Sequence, residues 1–460
     1  MVPNKIVGDG SQGNEKFPDT RPCDTSRCTR VALLWRMSVM EQYDLTVIGA
    51  GPAGLFCAIH AAAPGCRILL LEKMDEPGKK LLLSGSGQCN ITHTGEMRDL
   101  LSHYGDHGKW LKPALFSFTN KALIAFFENK GLPMMTEENG KIFPETRQSA
   151  DVLAILLKEC AARGVEIRCS EPVTGITRDT ERFEIVSSRA TYRSTVVVIT
   201  TGGSSYPKTG STGDGYRLST SLGQPVTDTA PALTPLLIRN FPFAALAGIS
   251  FENMPFTVWR AGKKAGEFKG DVLFTHLGVS GPGILDASRN IQPDDVIKLS
   301  FVGAMKREEF TADLSRRVQE NRTWQVSTIL AGYPIPERLN RKLLKISDIP
   351  DDLKCNHFSA ELRSRLVTNC TEFPMTVTAP GGFAVAMVTR GGVALDGVNM
   401  KTLESNSVPN LYFAGEVLDI DGDTGGYNLQ AAFSTGYLAA QGIRKRHAEK
   451  RGASGESPPT

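Results

Sequence analysis

The stretch YDLTVIGAGPAGLFCAIHAAAPGCRILLLEK, Tyr43 to Lys73, constrains this chain more than any other. An apolar run, LTVI, leads into Gly49-Ala50-Gly51-Pro52-Ala53-Gly54. Then come LFCAIHAAA, a Pro64-Gly65 break, a second apolar run, RILLL, and Glu72. That order predicts strand, tight turn, helix, strand, and a carboxylate about 20 residues beyond the glycines, the pattern of a dinucleotide-binding βαβ unit. Gly49 permits the turn. Gly51 lets a pyrophosphate approach the backbone where Pro52 and Ala53 open the helix, whose free N–H groups and dipole favour an anion. Gly54 lets the helix lie close to the strand, and Glu72 accepts hydrogen bonds from ribose hydroxyls.

Composition limits what the rest can be. The 460 residues suggest about three domain-sized units of ~150 residues. With 41% apolar and 22% charged residues, the chain reads as soluble and globular. A net charge of +3 is too small to point to nucleic acid or an anionic membrane as the main partner. No apolar run reaches the ~18 residues of a membrane span. The nine cysteines show no C-x-x-C spacing, which argues against a zinc site and for reduced thiols in the cytoplasm. No metal site and no oligomeric state are predicted. Residues 1–40 mix Gly, Pro, Asp, Arg and Ser and predict a disordered extension. Asp9, Glu15, Asp19 and Asp24 count against a transit peptide, and Met37 and Met40 favour a start displaced upstream. Residues 446–460 predict a disordered tail.

The C-terminal part favours FAD as the nucleotide. LYFAGEVLDIDGDTGGYNLQAAFSTG reads as a strand, Gly415-Glu416, an acidic glycine-rich loop and a helix from about Leu429. In this reading Glu416 meets the ribityl chain, and the helix N-terminus faces the flavin pyrimidine edge, where its dipole favours the negative charge of the reduced ring. Gly425 and Gly426 permit close approach, and the Asn428 amide serves a ring atom. The competing reading is a capping loop built from Asp421, Asp423 and Asn428. A calcium loop is disfavoured because the closing Glu is missing. A third piece, TVVVITTGGSSYPKTGSTGDGY, reads as a buried strand whose Gly202-Gly203 end returns to the nucleotide. No second G-x-G-x-x-G unit follows, so NADH or NADPH must reach the flavin through the substrate cavity.

Five ordered stretches carry a family resemblance: VIGAGPAGLFCAI, EKMDEPGKKLLLSGSGQCNIT, TTGGSSYPKTGSTGDGY, LFTHLGVSGPGIL, and VTRGGVALDGVNMKTLES followed by LYFAGEVLDIDGDTGGYNLQAAFSTG. Together they resemble the bacterial FAD flavoproteins known as aminoacetone oxidase-like or dehydro-bile-acid (3-oxo steroid) reductase-like oxidoreductases, over nearly all of residues 43–445. The resemblance implies an α/β fold in which a Rossmann-like FAD-binding domain is interrupted by an inserted β-barrel-like domain and a small helical domain. The expected boundaries are 41–225 and 389–445 for the FAD-binding domain, 226–305 completed by 371–388 for the β-rich insert, and 306–370 for the helices. The residues agree. NKALIAFFENK and SADVLAILLKECAAR are amphipathic; PFTVWR, DVLFTH and DVIKLSF read as short strands around a turn-like AGKKAG; REEFTADLSRRVQEN, IPERLNRKLLKI and SAELRSRLVTNC read as helices.

GKKLLLSGSGQCN, Gly78 to Asn90, is then expected to cross over the cofactor. Lys79 and Lys80 offer charge to pyrophosphate or ribose, Ser84, Ser86 and Gly87 offer hydroxyl and N–H groups, and Asn90 holds the flavin end. Lys73 and Val173 complete the expected cofactor contacts. Gln88 departs from the family, which has Arg there, and so lacks a fixed charge. Cys89 reads as a small buried thiol. His276 reads equally as a proton donor above the flavin or a local backbone cap. Tyr427 reads as a stacking or relay residue, or simply as packing. His103 and His107 are poorly placed for a metal. The implied activity is hydride transfer through the flavin N5, from NADH or NADPH to a small unsaturated organic substrate. An oxygen-using amine oxidase is one alternative, and a flavin-containing factor that binds or modifies RNA or protein is another.

Overall fold

β1 (Gln42–Ile48) and β2 (Ile68–Leu71) form because their apolar residues are buried on both faces, as central strands of a parallel sheet require. They pair in parallel, with Leu45 opposite Ile68 and Ile48 opposite Leu71. This computed structural model describes residues 40–454. On the far side of β1 runs the parallel strand Thr191–Ile199, with Leu411–Phe413 beyond it, and Glu166–Arg168 flanks β2. The C-terminal ends of these strands therefore share one edge. Gly49, Glu72, Thr200 and Gly415, far apart in sequence, leave the sheet side by side there.

α1 (Pro52–Ala61) crosses over the sheet with Leu55, Phe56 and Ile59 buried. Gly54 is where helix and turn touch: a Cβ there would stand 2.0 Å from the Gly49 carbonyl oxygen. The long helix Tyr427–Ser454 packs on the other side of α1, with Phe433 edge-to-face on Phe56 at 5.1 Å. This helix runs past the expected domain end at 445. Buried Ile443 and an ion pair from Arg446 to Glu404 hold its continuation, so the disordered tail does not begin at 446. The expectations for residues 1–39 and 455–460 lie outside the described residues.

A second sheet closes on itself as a six-stranded barrel: Leu236–Ile238, Gly278–Ser280, Lys263–Phe274, Ser250–Arg260, Val296–Leu299 and Phe373–Pro380. Its hairpin turns at Ala261-Gly262 alone, both at positive φ, as a two-residue hairpin turn requires. The KKAG that the sequence places in the turn is strand. Phe243, Phe274, Phe301 and Phe373 fill the barrel, and the same core continues into Leu314, Leu343 and Leu366 of the helices that follow. Barrel and helices thus share one hydrophobic core, separate from that of the sheet that holds β1 and β2.

Candidate functional site

A cavity of about 710 Å³ opens where the strand ends of the sheet meet the barrel. Ile48, Gly49, Gly51, Pro52, Ala53, Glu72, Thr200, Gly202, Gly415 and Glu416 line its sheet side. Leu233, Leu273, Pro282, Leu285 and Val388 face them and make an apolar wall. The segment 78–90, with Val173, and the start of the last helix, with Gly426, Asn428 and Leu429, complete it.

The sheet side fits a dinucleotide. α1 begins at Gly51 with no side-chain cap and no acidic residue in its first turn, which leaves N–H groups and the dipole directed at the cavity. A Cβ on Gly51 would meet no atom within 4 Å, so the turn backs onto open space. Glu72 is held by the backbone N–H groups of Ala50 and Met74, each at 2.8 Å. Two such bonds leave lone pairs on its carboxylate for hydroxyl donors.

The expected lysines are tied down. Lys73 pairs with Asp214 and Thr212, and Lys79 with Asp75. Lys80 reaches Glu416 and Ser205, both at 2.7 Å, and Glu416 also accepts from Ser205 Oγ at 2.9 Å and the Thr389 N–H at 2.8 Å. Lys80 and Glu416, 336 positions apart, thus form one unit. Gly203 makes room for it, since a Cβ there would lie 2.3 Å from Thr389 Oγ1. Ser84 and Ser86 line the cavity, whereas Gly54, Gly87 and Gly203 do not. With its amide nitrogen towards the Thr92 and Ile142 carbonyls (2.9 and 3.1 Å), Asn90 accepts from the Gly426 N–H at 3.1 Å. It therefore fastens the 78–90 segment to the last helix. The Asn428 amide is consumed by Gly422 and Asp423 and is not free for a ring atom.

The structure places both residues offered for catalysis off the cavity wall, and Tyr427 takes its stacked and packed reading. His276 sits in the exposed bend between two barrel strands and does not line the cavity, because the hairpin turns its tip to solvent. Tyr427 is buried, with its ring stacked between His103 (4.0 Å) and His93 (5.3 Å), and it too does not line the cavity. Burial pushes its hydroxyl up to about 12. Cys89 is likewise buried, its thiol pushed up to about 12 by desolvation.

The groups that do face the cavity here are Asp423 and Thr424. Asp423 accepts from His103 Nδ1 at 3.0 Å and pairs with Arg289 at 2.9 Å. His103 remains partly open to solvent. Thr424 donates its N–H (2.7 Å) and hydroxyl (3.1 Å) to Asp286, whose pKa burial raises to about 6. The sequence offered Asp423 as a helix cap or, less favoured, as part of a calcium loop, and His103 only as a poor metal ligand. Their shared signal, the acids of DIDGDTGG, does not reveal Asp286 or Arg289, which come from the barrel side.

Comparison with known proteins gives a consistent picture. The family described as "HI0933-like protein Rossmann domain" matches residues 43–442. A ribosomal RNA dihydrouridine synthase of Haemophilus influenzae is 30% identical, over 88% of this chain and 100% of its own length. The Escherichia coli protein of that name is 29% identical over 88% of this chain and 98% of its own. A 3-dehydro-bile acid delta(4,6)-reductase of Clostridium scindens is 29% identical over 87% of this chain and 98% of its own.

Proposed function

This chain belongs to the HI0933-like family of Rossmann-fold FAD oxidoreductases, and we propose that it reduces a carbon–carbon double bond conjugated to a carbonyl, with electrons from NADH or NADPH. Uracil and a 3-dehydro-bile acid with its ring double bonds are unlike in shape, but both hold that reacting unit. The fold is read as an FAD-binding domain in two parts, 41–225 and 389–445, carrying the barrel (226–305 with 371–388) and the helices (306–370) as inserts. Bound FAD would supply reversible hydride carriage. The chain would hold the pyrophosphate on the N-terminus of α1, the ribose on Glu72, and the ribityl chain near Lys80 and Glu416. The apolar barrel wall excludes water and orients the substrate. Asp423, with His103 behind it, relays the proton from solvent to the carbon beside the carbonyl, while the other carbon takes the hydride.

The observation that carries this reading is the cavity itself, with a polar face opposite an apolar wall and the Asp423 carboxylate, backed by His103, between them. It favours a small, flat, largely apolar substrate. Three of the four lining lysines, Lys73, Lys79 and Lys80, are already paired with carboxylates and pull weakly on a polyphosphate. A uracil base of RNA is the second reading, favoured by the two relatives of matching length that carry that name.

The test is anaerobic. The purified holoprotein is bleached with NADPH or NADH, then offered a conjugated 3-oxo steroid or an unmodified ribosomal RNA transcript. Recovery of the oxidised-flavin spectrum by the steroid, with two hydrogens gained in the product, supports the first reading. Recovery by the transcript alone selects the second. Recovery by oxygen alone overturns both in favour of an oxidase.

A further inference from the structure

The segment that crosses the cavity is bent tightly. Gly85, Ser86, Gly87 and Cys89 all have positive φ, and two of them are not glycine. Such a conformation persists only where its surroundings over-determine it. Backbone bonds within the segment, from Gln88 N to Gly85 O at 3.1 Å and from Cys89 N to Ser84 O at 2.9 Å, shape the turn but do not anchor it to anything else. One outside anchor comes from Arg147, at the end of the hairpin strand Lys141–Pro144. Its guanidinium donates to Gln88 Oε1 at 2.9 Å, pairs with Glu137 at 2.8 Å, and lies over the Phe143 ring at 4.5 Å. Phe143 in turn lies beside the turn, since a Cβ on Gly85 would come within 3.3 Å of its ring. Arg147 itself has a positive φ of 54° and is fixed by its own N–H to the Pro144 carbonyl at 2.9 Å. One planar cation, carried on a strained backbone of its own, thus bonds to the side chain of Gln88 in the strained segment and stacks on the ring that lies beside Gly85.

We propose that Arg147 is the positioning residue of the cofactor-crossing segment, and that Gln88 and Arg147 form a reciprocal pair holding one guanidinium. Gln88 supplies the acceptor from the strained segment and Arg147 brings the charge to it from a different element. Arg147 does not line the cavity; it acts through Gln88 and Phe143, and so through Gly85 and Ser86, which do line it. A planar donor is required because the cation must bond edge-on to two oxygens while its face rests on an aromatic ring.

This inference rests on the FAD reading of the cavity, and an exchange of the two side chains tests it. Arg147→Gln removes the guanidinium. Gln88→Arg places two cations in contact. Each single variant is expected to weaken FAD binding, followed by flavin fluorescence, by about tenfold, the worth of one half-exposed charge-assisted hydrogen bond. The double variant Gln88→Arg/Arg147→Gln restores one guanidinium facing one amide and is expected to recover most of that loss. Amide hydrogen exchange over residues 84–90 of the apo protein gives a second readout, with protection lost in each single variant and regained in the double. Additive losses in the double variant, or singles that match wild type in both measurements, overturn the proposal. Thermal midpoints separate this from general unfolding. Wild-type protein that binds no FAD would overturn the cofactor reading alone, while the exchange pattern of the apo chain would still decide the pairing.

Discussion

One methyl group, added at either of two glycines three residues apart, should have opposite effects. In Gly54→Ala the new Cβ would lie 2.0 Å from the Gly49 carbonyl oxygen and 2.6 Å from Thr200 Oγ1. Backbone and a buried side chain cannot yield there, so α1 must move off the sheet by about 1 Å, at the ~1–3 kcal/mol typical of overpacking. For a chain of this length, with about 2 cal/mol/K of unfolding entropy per residue, that lowers the melting midpoint of the apo protein by about 1–4 °C. In Gly51→Ala the Cβ meets nothing within 4 Å, and φ is −79°, which alanine adopts freely. The apo midpoint should then stay within about 1 °C, since an N-cap changed from Gly to Ala costs roughly 0.5–1 kcal/mol. The methyl would, however, stand where the pyrophosphate approaches. Loss of one or two charge-assisted N–H bonds to phosphate at ~1.5–3 kcal/mol each weakens FAD by about tenfold to ten-thousandfold. Apo-protein calorimetry and flavin titration read the two effects separately. A Gly51→Ala protein that binds FAD like wild type would refute the placement of the nucleotide on this turn. A Gly54→Ala protein with an unchanged apo midpoint would refute the tight helix–turn contact.

Asp423→Asn should slow flavin reoxidation by substrate by about a hundredfold or more, the contribution of a positioned proton donor, while leaving flavin reduction by nicotinamide unchanged in stopped flow. His276→Ala should change neither half-reaction by more than about twofold, the scatter of a surface substitution, and a larger loss would restore His276 to the mechanism. Asp286 sets a pH dependence. Burial raises its folded pKa to about 6, above the ordinary aspartate value of 3.8, so the native state holds its proton more tightly than the unfolded state does. Its contribution to stability is therefore greatest below pH 4 and is lost as pH rises from about 4 to 6, by roughly 1–3 kcal/mol. Denaturant melts of wild type and Asp286→Asn across that window should show the fall in wild type and its absence in the variant. Lys80→Met should destabilise the protein by about 1–2 kcal/mol, below the value for a fully buried pair because both side chains keep some solvent contact. Lys80→Met combined with Glu416→Gln should be less destabilised than the sum of the two single variants.

The sequence alone determined the βαβ unit, its phosphate turn and its acid. Gly49, Gly51, Gly54 and Glu72 follow one another within about 25 residues, and each role depends on local backbone geometry and strand or helix periodicity. It likewise determined that a late strand would bring Glu416 to the same edge, because a Gly-acid end on a buried strand has few other uses. What it could not settle was which side chains meet across the cavity. Lys80 reads as a free cation until it is found on Glu416, Asp423 as a helix cap until Arg289 and His103 close on it, and Gln88 as a lost charge until Arg147 arrives from a neighbouring hairpin. His276 stays undecided between proton donor and backbone cap in sequence for the same reason: a strand end is visible there, but the side of the barrel to which its hairpin tip points is not. These pairings join residues from about 60 to over 300 positions apart, and only the tertiary packing of separate segments brings them within hydrogen-bond reach. Local patterns fix the elements because each is stabilised by its own periodicity; the chemistry between elements has no period to read.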